Sequence, residues 1–428
     1  MSNITDQDRA ALREAWTAYC DTLRQEGLDI IEGKSGDPAT PQELAEALRA
    51  VARIGILSLQ HRMDFNDPDF PTFFRTMDDR YKYGGPDAHI TYITATLRGD
   101  ATYRLRANHH HREFNLNTPA PSHGAGAESI QDIKQRWSQE MDIAADGSFE
   151  VILGGEQRPG NWVGLDPGYR GGTAVPDQFP MANGGLLMRT YYWDPEDGLP
   201  AGQFFIERID DKAPLGPAPL TPSGFAAQVK SAATLMAKAA KWWIARAARM
   251  RVQNAPNVVA PLGKTPPGVD KSTLSAFTAP QKYGLNYGVC AFDLAPDEAL
   301  IIETNITPAP YWSFNLYNAW WESPDVQQRQ TSLSFKQAHL DSDGRFRCVV
   351  SQADPGVPNW LDTGGGRRGF VFYRWLHPTG DLPSPSGRVV KLSEVRGLMP
   401  TDHPRIDEAT RRRQLSARRA WFAQRFQA

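Results

Sequence analysis

Cysteine and excess charge are both scarce in this sequence. Its 428 residues include three cysteines, Cys20, Cys290 and Cys348, with no CxxC pair, which argues against a disulfide scaffold and a thiolate zinc site. The formal net charge of −2 provides no basic field that would attract nucleic acid. No apolar run approaches the roughly 18 residues of a membrane span, and the N-terminal stretch lacks a secretory signal pattern. We therefore expect a cytoplasmic protein that binds neither nucleic acid nor a membrane.

Turn-forming and aromatic residues, by contrast, are plentiful. The 36 glycines and 33 prolines imply many turns, which favours a β-rich architecture over a helical bundle. The 12 tryptophans, 13 tyrosines and 19 phenylalanines supply large cores and stacking surfaces.

The first 65 residues are predicted to form an N-terminal helical segment. Thr5 precedes an apolar stripe at helical spacing, and Thr40 precedes Pro41 at the start of a second apolar pattern.

Several short motifs recur in order along the rest of the chain. The tripeptide FNL occurs at Phe114 and again at Phe314, KYG occurs at Lys82 and Lys282, and a DG turn followed by Asn-Trp appears in each half. Collinear blocks of this kind indicate duplication of one supersecondary unit.

We expect two tandem duplicated antiparallel β-sandwich or jelly-roll-like units, each closed by a helix. The first unit with its helix spans 66–253, a proline-rich connector spans 254–280, and the second unit with its C-terminal helix spans 281–428. The alternative is one composite sandwich built from both halves.

The second half resembles the domain of unknown function 1214 family of bacterial proteins. The stretches that carry the resemblance are FDLAPDEALIIE, PYWSFNLYNAWWESPD and DPGVPNWLDTGGGRRGFVFYRW, and DDRYKYGGPDAHITY and GDATYRL in the first half also look like longer members. The resemblance implies a β-sandwich. It implies no catalytic residues, because no reaction is established across the family.

The stretch HHHREFNLN, residues 109–117, is the sharpest candidate for chemistry. If it enters a strand, His109, His111 and Glu113 share one face, a donor set that suits a divalent transition metal. Two alternatives stay open: a solvated loop leading into the strand, and metal-free acid/base use. Further ligands would require the fold to bring other histidines close, namely His89, His123 and His339.

Other candidates lie mainly in the second half. Aromatic and amide side chains alternate in a segment that suits an oxygen-bearing organic ligand or a sugar, although core and turn roles compete: Trp312, Asn315, Asn318 and Trp321. Asp362 and Arg368 flank a glycine run that suits an anion, with a plain hairpin as the alternative. Lys336 is a candidate base or pairing cation, with an exposed strand lysine as the alternative. Asp87 belongs to a charged segment that suits either a pocket rim or a solvated loop.

These features favour an enzyme acting on a small or medium organic molecule by hydrolytic, lyase or isomerase chemistry, without a nucleotide cofactor. The cofactor expected, if any, is a divalent transition metal. The alternative is a non-catalytic protein that binds carbohydrate or an apolar ligand, and a scaffold that forms homo-oligomers through aromatic patches is a third hypothesis.

Overall fold

The computed structural model is mainly β, with helices at both ends and one between its two halves. It describes residues 4–78, 80–110, 113–119, 133–165, 185–191, 202–262 and 284–426. The helices are α1 (Asp6–Ile31), α2 (Pro41–Asp64), α3 (Pro222–Gln253), α4 (Val395–Leu398) and α5 (Glu408–Phe426). Among these residues, no helix combines the length and apolar content that a membrane-spanning segment needs.

The first two helices begin where the sequence predicts. The Thr5 hydroxyl accepts a hydrogen bond from the Asp8 N–H, and the Asp8 carboxylate accepts one from the Thr5 N–H, which completes a capping box. Thr40 caps α2 and Thr221 caps α3, each followed by proline, whose fixed φ suits the first helical position.

Seventeen strands lie in the described part of the chain. The first nine are β1 (Phe74–Met77), β2 (Ile90–Thr96), β3 (Tyr103–Asn108), β4 (Phe114–Pro119), β5 (Ile133–Trp137), β6 (Ser148–Leu153), β7 (Trp162–Val163), β8 (Gly185–Tyr191) and β9 (Gln203–Arg208). The others are β10 (Leu285–Asp293), β11 (Glu298–Thr304), β12 (Tyr311–Asn318), β13 (Ser332–Ser334), β14 (Phe346–Ser351), β15 (Trp360–Asp362), β16 (Arg368–Leu376) and β17 (Ser386–Lys391).

The strands form four open sheets with the same order in both halves. Sheet A runs β1-β2-β8-β4-β5 and sheet B runs β7-β6-β3-β9; sheet C runs β10-β16-β12-β13 and sheet D runs β15-β14-β11-β17. Apart from the extra edge strand β1, each strand of the first half has a counterpart at the same place in the second. The expectation of purely antiparallel units is wrong in one detail, because β6–β7 and β14–β15 pair in parallel.

Each half has a core that both of its sheets share. The first core takes side chains from sheets A and B, and includes Phe114 and Phe149, whose rings stack 4.7 Å apart. The second takes side chains from sheets C and D, and includes Phe314 against Phe346. Two separate two-sheet units are therefore present, and the single composite sandwich is not observed.

The recurring Asn-Trp pair makes the same hydrogen bonds in both units. The Asn161 side chain bonds the N–H and C=O of Asp142 and the C=O of Glu150. In the second unit, Asn359 bonds the N–H and C=O of His339 and the C=O of Arg347. In both units, therefore, an asparagine fastens the segment before a strand to that strand.

Helix α3 contacts Tyr83 of the unit that precedes it, but most of its core partners lie elsewhere. Its apolar face, including Met236 and Trp243, shares a core with α1, α2 and sheet C residues such as Phe372. The amphipathic pattern identifies a buried face, but it carries no information about which sheet that face covers. Helix α5 packs on the second unit as predicted, and its Trp421 also stacks on His89 of the first unit, 5.1 Å between rings.

The outer faces of sheets A and C meet between the two units. Tyr92 and Tyr191 from sheet A share an apolar cluster with Tyr311 and Leu376 from sheet C. Because side chains alternate along strands, these residues point away from their own units' cores. This contact places polar residues of both units in one buried location.

Candidate functional site

A buried ion pair joins the two units. The Asp87 carboxylate, 1% exposed, lies just before β2 of the first unit, and its Oδ2 is 3.1 Å from Nε of Arg374 on β16 of the second. Oδ2 also accepts hydrogen bonds from the Tyr311 hydroxyl at 2.8 Å and the Ser313 hydroxyl at 2.6 Å, while Oδ1 accepts one from the His89 N–H at 2.9 Å. We call these five residues the inter-unit cluster.

Strand alternation explains how β12 builds this cluster. Tyr311, Ser313 and Asn315 point to the outer face of sheet C, and Ser313 lies opposite Arg374 in the β12–β16 register. The Asn315 amide extends the network, since its Oδ1 accepts from the Ala88 N–H at 3.1 Å and its Nδ2 donates to the Ser313 hydroxyl at 3.0 Å.

The buried charges of Asp87 and Arg374 each stabilise the ionised form of the other. Burial raises the pKa of Asp87, but Arg374, His89 and the Ser313 hydrogen bond outweigh burial and hold that pKa below its ordinary value. Burial lowers the pKa of Arg374, but Asp87 and the neighbouring tyrosines together outweigh burial and hold that pKa well above its usual range. Burial raises the pKa of Tyr311. At neutral pH the cluster thus contains a carboxylate, a guanidinium and a neutral hydroxyl donor.

A second polar group adjoins the cluster at sheet C's edge strand. The Ser332 hydroxyl lies 3.2 Å from Nε2 of His89 and accepts a hydrogen bond of 2.6 Å from Arg418 on α5. A cavity of about 10 Å³ lies beside Asp87 and Phe422. It has room for about one water molecule, so it does not hold an organic ligand as it stands.

The network becomes more exposed toward Arg189 and Tyr287. The Arg189 guanidinium lies over the Tyr92 ring at 6.0 Å, and that of Arg374 lies over Tyr287 at 5.0 Å. Arg189 and Tyr287 are both half-buried, and no carboxylate pairs with Arg189 among the described residues. We call Arg189 and Tyr287 the rim of the inter-unit cluster.

His377 follows β16 at the same end of sheet C. Its ring packs edge-on against Trp137 of sheet A, 4.6 Å between centroids, and its backbone has a φ of 45°. Burial lowers the pKa of His377, partly offset by Glu113 and Glu140, so the imidazole is neutral at pH 7. Its Nε2 is buried and has no hydrogen-bond partner in the described structure.

His109 and His110 lie between β3 and β4, not within a strand. His110 has a φ of 50°, so the alternating-face argument does not apply to it. His109 is 1% exposed and packs against Phe114 and Phe204, which makes it a buried rather than a solvated residue. The Glu113 carboxylate accepts hydrogen bonds from Ser138 and Gln139. His111 lies outside the described residues, so the metal site there stays a prediction.

The other predicted residues are spread over the second unit. Asp362 pairs with Arg329 at 2.9 Å, and Arg368 pairs with Glu43 at the start of α2, where it ties the helical segment to β16. Lys336 is exposed and lies over the Phe335 ring at 5.7 Å. In the described part of the chain, these contacts of Asp362, Arg368 and Lys336 do not include His109 or His110.

The aromatic-amide segment divides between two faces and a turn. Trp312 lies in the core of the second unit, stacked on Trp375 at 5.5 Å, on the face opposite Asn315. The Asn318 side chain accepts from the N–H groups of Trp320 and Glu322, which closes the turn after β12. Trp321 is buried against Trp243 of α3. Asp87 and Asn315 are thus the two predicted residues that share one site.

Four residues of the site were not predicted from the sequence: Arg374, Tyr311, Ser313 and His377. A signal was present for the first three, because polar residues occupy alternate positions of YWSFNLYN and FYRW. Nothing in the sequence distinguishes His377 from an ordinary turn residue.

Comparison with known proteins confirms the family resemblance of the C-terminal half. Residues 293–380 match the family model described as a protein of unknown function, DUF1214. No curated protein matches the chain. The crystal structure of an uncharacterised protein from Burkholderia cenocepacia is 27% identical with a TM-score of 0.73, over 90% of this chain and 99% of that chain. The VPA0106 protein from Vibrio parahaemolyticus is 11% identical with a TM-score of 0.41, over 81% and 99% of the chains, too distant to support an argument.

Proposed function

We propose that this protein binds a small organic molecule bearing carboxylate, carbonyl or hydroxyl oxygens at the rim of the inter-unit cluster. The observation that carries the proposal is the Arg189 guanidinium, half-buried over Tyr92 and without a carboxylate partner in the described structure. A partly desolvated guanidinium recognises carboxylate or carbonyl oxygens strongly, and the neighbouring tyrosine rings supply apolar contact.

Catalysis is the second candidate function. Asp87 suits a general base poorly, because all of its contacts stabilise the ionised form and its pKa is lowered. His377 is the better candidate, since it is neutral and its Nε2 has no partner in the described structure. With His377 as base, the reaction would be hydrolysis, elimination or isomerisation of the bound molecule, which are the classes expected from the sequence.

Binding is tested by affinity-selection mass spectrometry of a library of organic acids, carbonyl compounds and sugars against the full-length protein. We expect acids or carbonyl compounds to be retained, and Arg189→Met to weaken them at least 10-fold. The matched control is Arg106→Met, because Arg106 also lies over an aromatic ring, Phe205, on a different sheet. Equal retention by both variants, or no retained compound, would contradict the proposal.

The same ligands separate binding from catalysis. If His377 transfers a proton, His377→Gln retains the compound but loses its conversion, followed by mass spectrometry of the product. Conversion that survives in His377→Gln removes the role proposed for His377. Retention without conversion by the unaltered protein leaves the binding proposal alone.

We also propose that the two units arose by duplication of one ancestral unit with jelly-roll-like connections, and that the protein is cytoplasmic. The matching strand orders and the matching bonds of Asn161 and Asn359 support the first statement. The three free cysteines support the second. Self-association stays a prediction, for which gel filtration with light scattering is the test.

A further inference from the structure

Two histidines and an aspartate lie together on the second unit, apart from the inter-unit cluster. Their donor atoms, one each from His339, Asp341 and His403, all lie within 4.8 Å of one another. His339 Nε2 is 3.5 Å from Asp341 Oδ1, close to the roughly 3.4 Å between two ligands that are each about 2.1 Å from a tetrahedral ion. His403 Nδ1 is 2.5 Å from the same oxygen, which is a hydrogen bond in this structure, so a bound ion would replace that hydrogen bond and separate the two atoms by about 1 Å more.

Two backbone segments carry these side chains: residues 339–341 ahead of β14, and the segment after α4 that contains His403. Asn359 binds both backbone groups of His339, and Asp341 begins the turn that leads into β14. His403 follows α4, and Arg396 donates hydrogen bonds to the carbonyls of His403 and Pro404. The cluster is therefore fixed in place without a loop that must reorder.

The first unit has the same backbone frame without these side chains. Asn161 binds Asp142 as Asn359 binds His339, so Asp142 and Ala144 occupy the positions of His339 and Asp341. The fold thus builds this frame without a histidine, so the frame does not require one at position 339.

The chemistry of the donors suits a cation. Arg347 holds the other oxygen of Asp341, Oδ2, at 2.6 Å, which leaves Oδ1 directed toward the histidines. The charge of Arg347 is offset by Glu303 and Asp343 as well as by Asp341. His403 Nε2 is buried and has no hydrogen-bond partner in the described structure, and His339 is one-third exposed, which gives an ion access.

We propose that His339, Asp341 and His403 bind one divalent transition-metal ion. Imidazole and carboxylate donors favour zinc, iron, cobalt, nickel or manganese over calcium and magnesium. Three protein ligands leave at least one coordination position for water or substrate, which is the arrangement of reactive rather than purely structural metal sites. This site is separate from the proposed ligand site, and neither proposal depends on the other.

The test uses the untagged full-length protein loaded with zinc or cobalt and then dialysed. We expect about one equivalent by inductively coupled plasma mass spectrometry, and a cobalt absorption spectrum typical of nitrogen and oxygen ligands. His339→Ala should lower zinc affinity by more than the roughly 10–100-fold that loss of an outer-shell partner costs. His339 is the ligand to change because it is the most exposed of the three, so the variant should fold.

The control is the His109→Ala/His111→Ala double variant, which should keep the metal. Loss of metal from that variant with retention in His339→Ala would overturn the inference and favour the histidine run. Absence of bound metal in the unaltered protein would also overturn it. Circular dichroism of each variant verifies that a lost metal does not reflect a lost fold.

Discussion

Asp87 and Arg374 hold opposite charges in the interior of the protein. Both side chains are almost fully buried, and removing one partner would leave the other charge without compensation. The net attraction of this pair therefore adds little to stability, whereas the loss of one partner costs much. It fixes which faces of the two units meet.

We predict that Arg374→Met lowers the free energy of unfolding by about 3–5 kcal/mol, because Asp87 stays buried and unpaired. Asp87→Asn should also destabilise the protein. The double variant should lose less stability than the sum of the two single losses, by on the order of 1–3 kcal/mol. The reason is that neither charge then stays buried without its partner. Urea unfolding of the four proteins measures this coupling, and strictly additive losses would show that the pair is not coupled.

Acidification should reduce the difference in free energy of unfolding between Arg374→Met and the unaltered protein. In the unaltered protein the folded pKa of Asp87 is depressed, so its stabilisation is present above pH 4 and is lost only as the pH falls through that depressed value. Without Arg374, burial raises the pKa and Asp87 takes up a proton as the pH falls. Urea midpoints from pH 8 to 4 test this, and a gap that stays constant or widens would contradict it.

For single residues, the sequence indicates which side chains could be functional better than it indicates which residues they contact. Asp87 stands out as a charge beside several others, and Asn315 as an amide among aromatics, but 227 residues separate Asn315 from its partner Ala88. Only the packing of the two units brings them together. For the histidine run, the structure shows that His110 lies outside a strand, so the strand-face argument does not apply to it, and the metal site itself stays a prediction.

Among the structural elements, helix starts and strand turns carry the clearest sequence signals. Thr5, Thr40 and Thr221 each satisfy backbone N–H groups locally, so their helices are predictable without knowledge of the fold. The packing partner of α3 is not predictable, because its apolar face fits any sheet of suitable shape. The role of the Asn-Trp pair is partly predictable. Its recurrence in the sequence indicates a structural role, but its hydrogen bonds are known only from the structure.

We predict that Asn359→Ala destabilises the protein by about 1–3 kcal/mol, because it leaves partly buried backbone groups of His339 and Arg347 unpaired. Asn161→Ala should cost less, since the equivalent bonds lie nearer to solvent, where water replaces the amide. Thermal unfolding of the two variants compares them directly. A larger loss of stability for Asn161→Ala would contradict the argument from solvent exposure.

For the whole molecule, the helices and the inter-unit cluster make the two units interdependent. Helix α3 follows the first unit but completes a core with the second, and α5 of the second unit stacks Trp421 on His89 of the first. The sequence indicates two similar halves and their approximate limits. It does not indicate that the outer faces of sheets A and C meet, because both faces carry mixed polar and aromatic residues.

We predict that the two units unfold together in one transition, with calorimetric and van't Hoff enthalpies that agree, because separation exposes apolar residues of sheet C and unpairs Asp87. Differential scanning calorimetry provides the measurement. Two resolved transitions would mean that the contact between the units contributes little.

The central claim is that the rim of the inter-unit cluster is a ligand site. A crystal structure of the full-length protein with the best retained compound tests it most directly. We expect density for the compound against Arg189 and Tyr287, with its carboxylate or carbonyl oxygen within hydrogen-bonding distance of the Arg189 guanidinium. Density for the compound elsewhere, with Arg189 and Tyr287 uncontacted, would contradict the account.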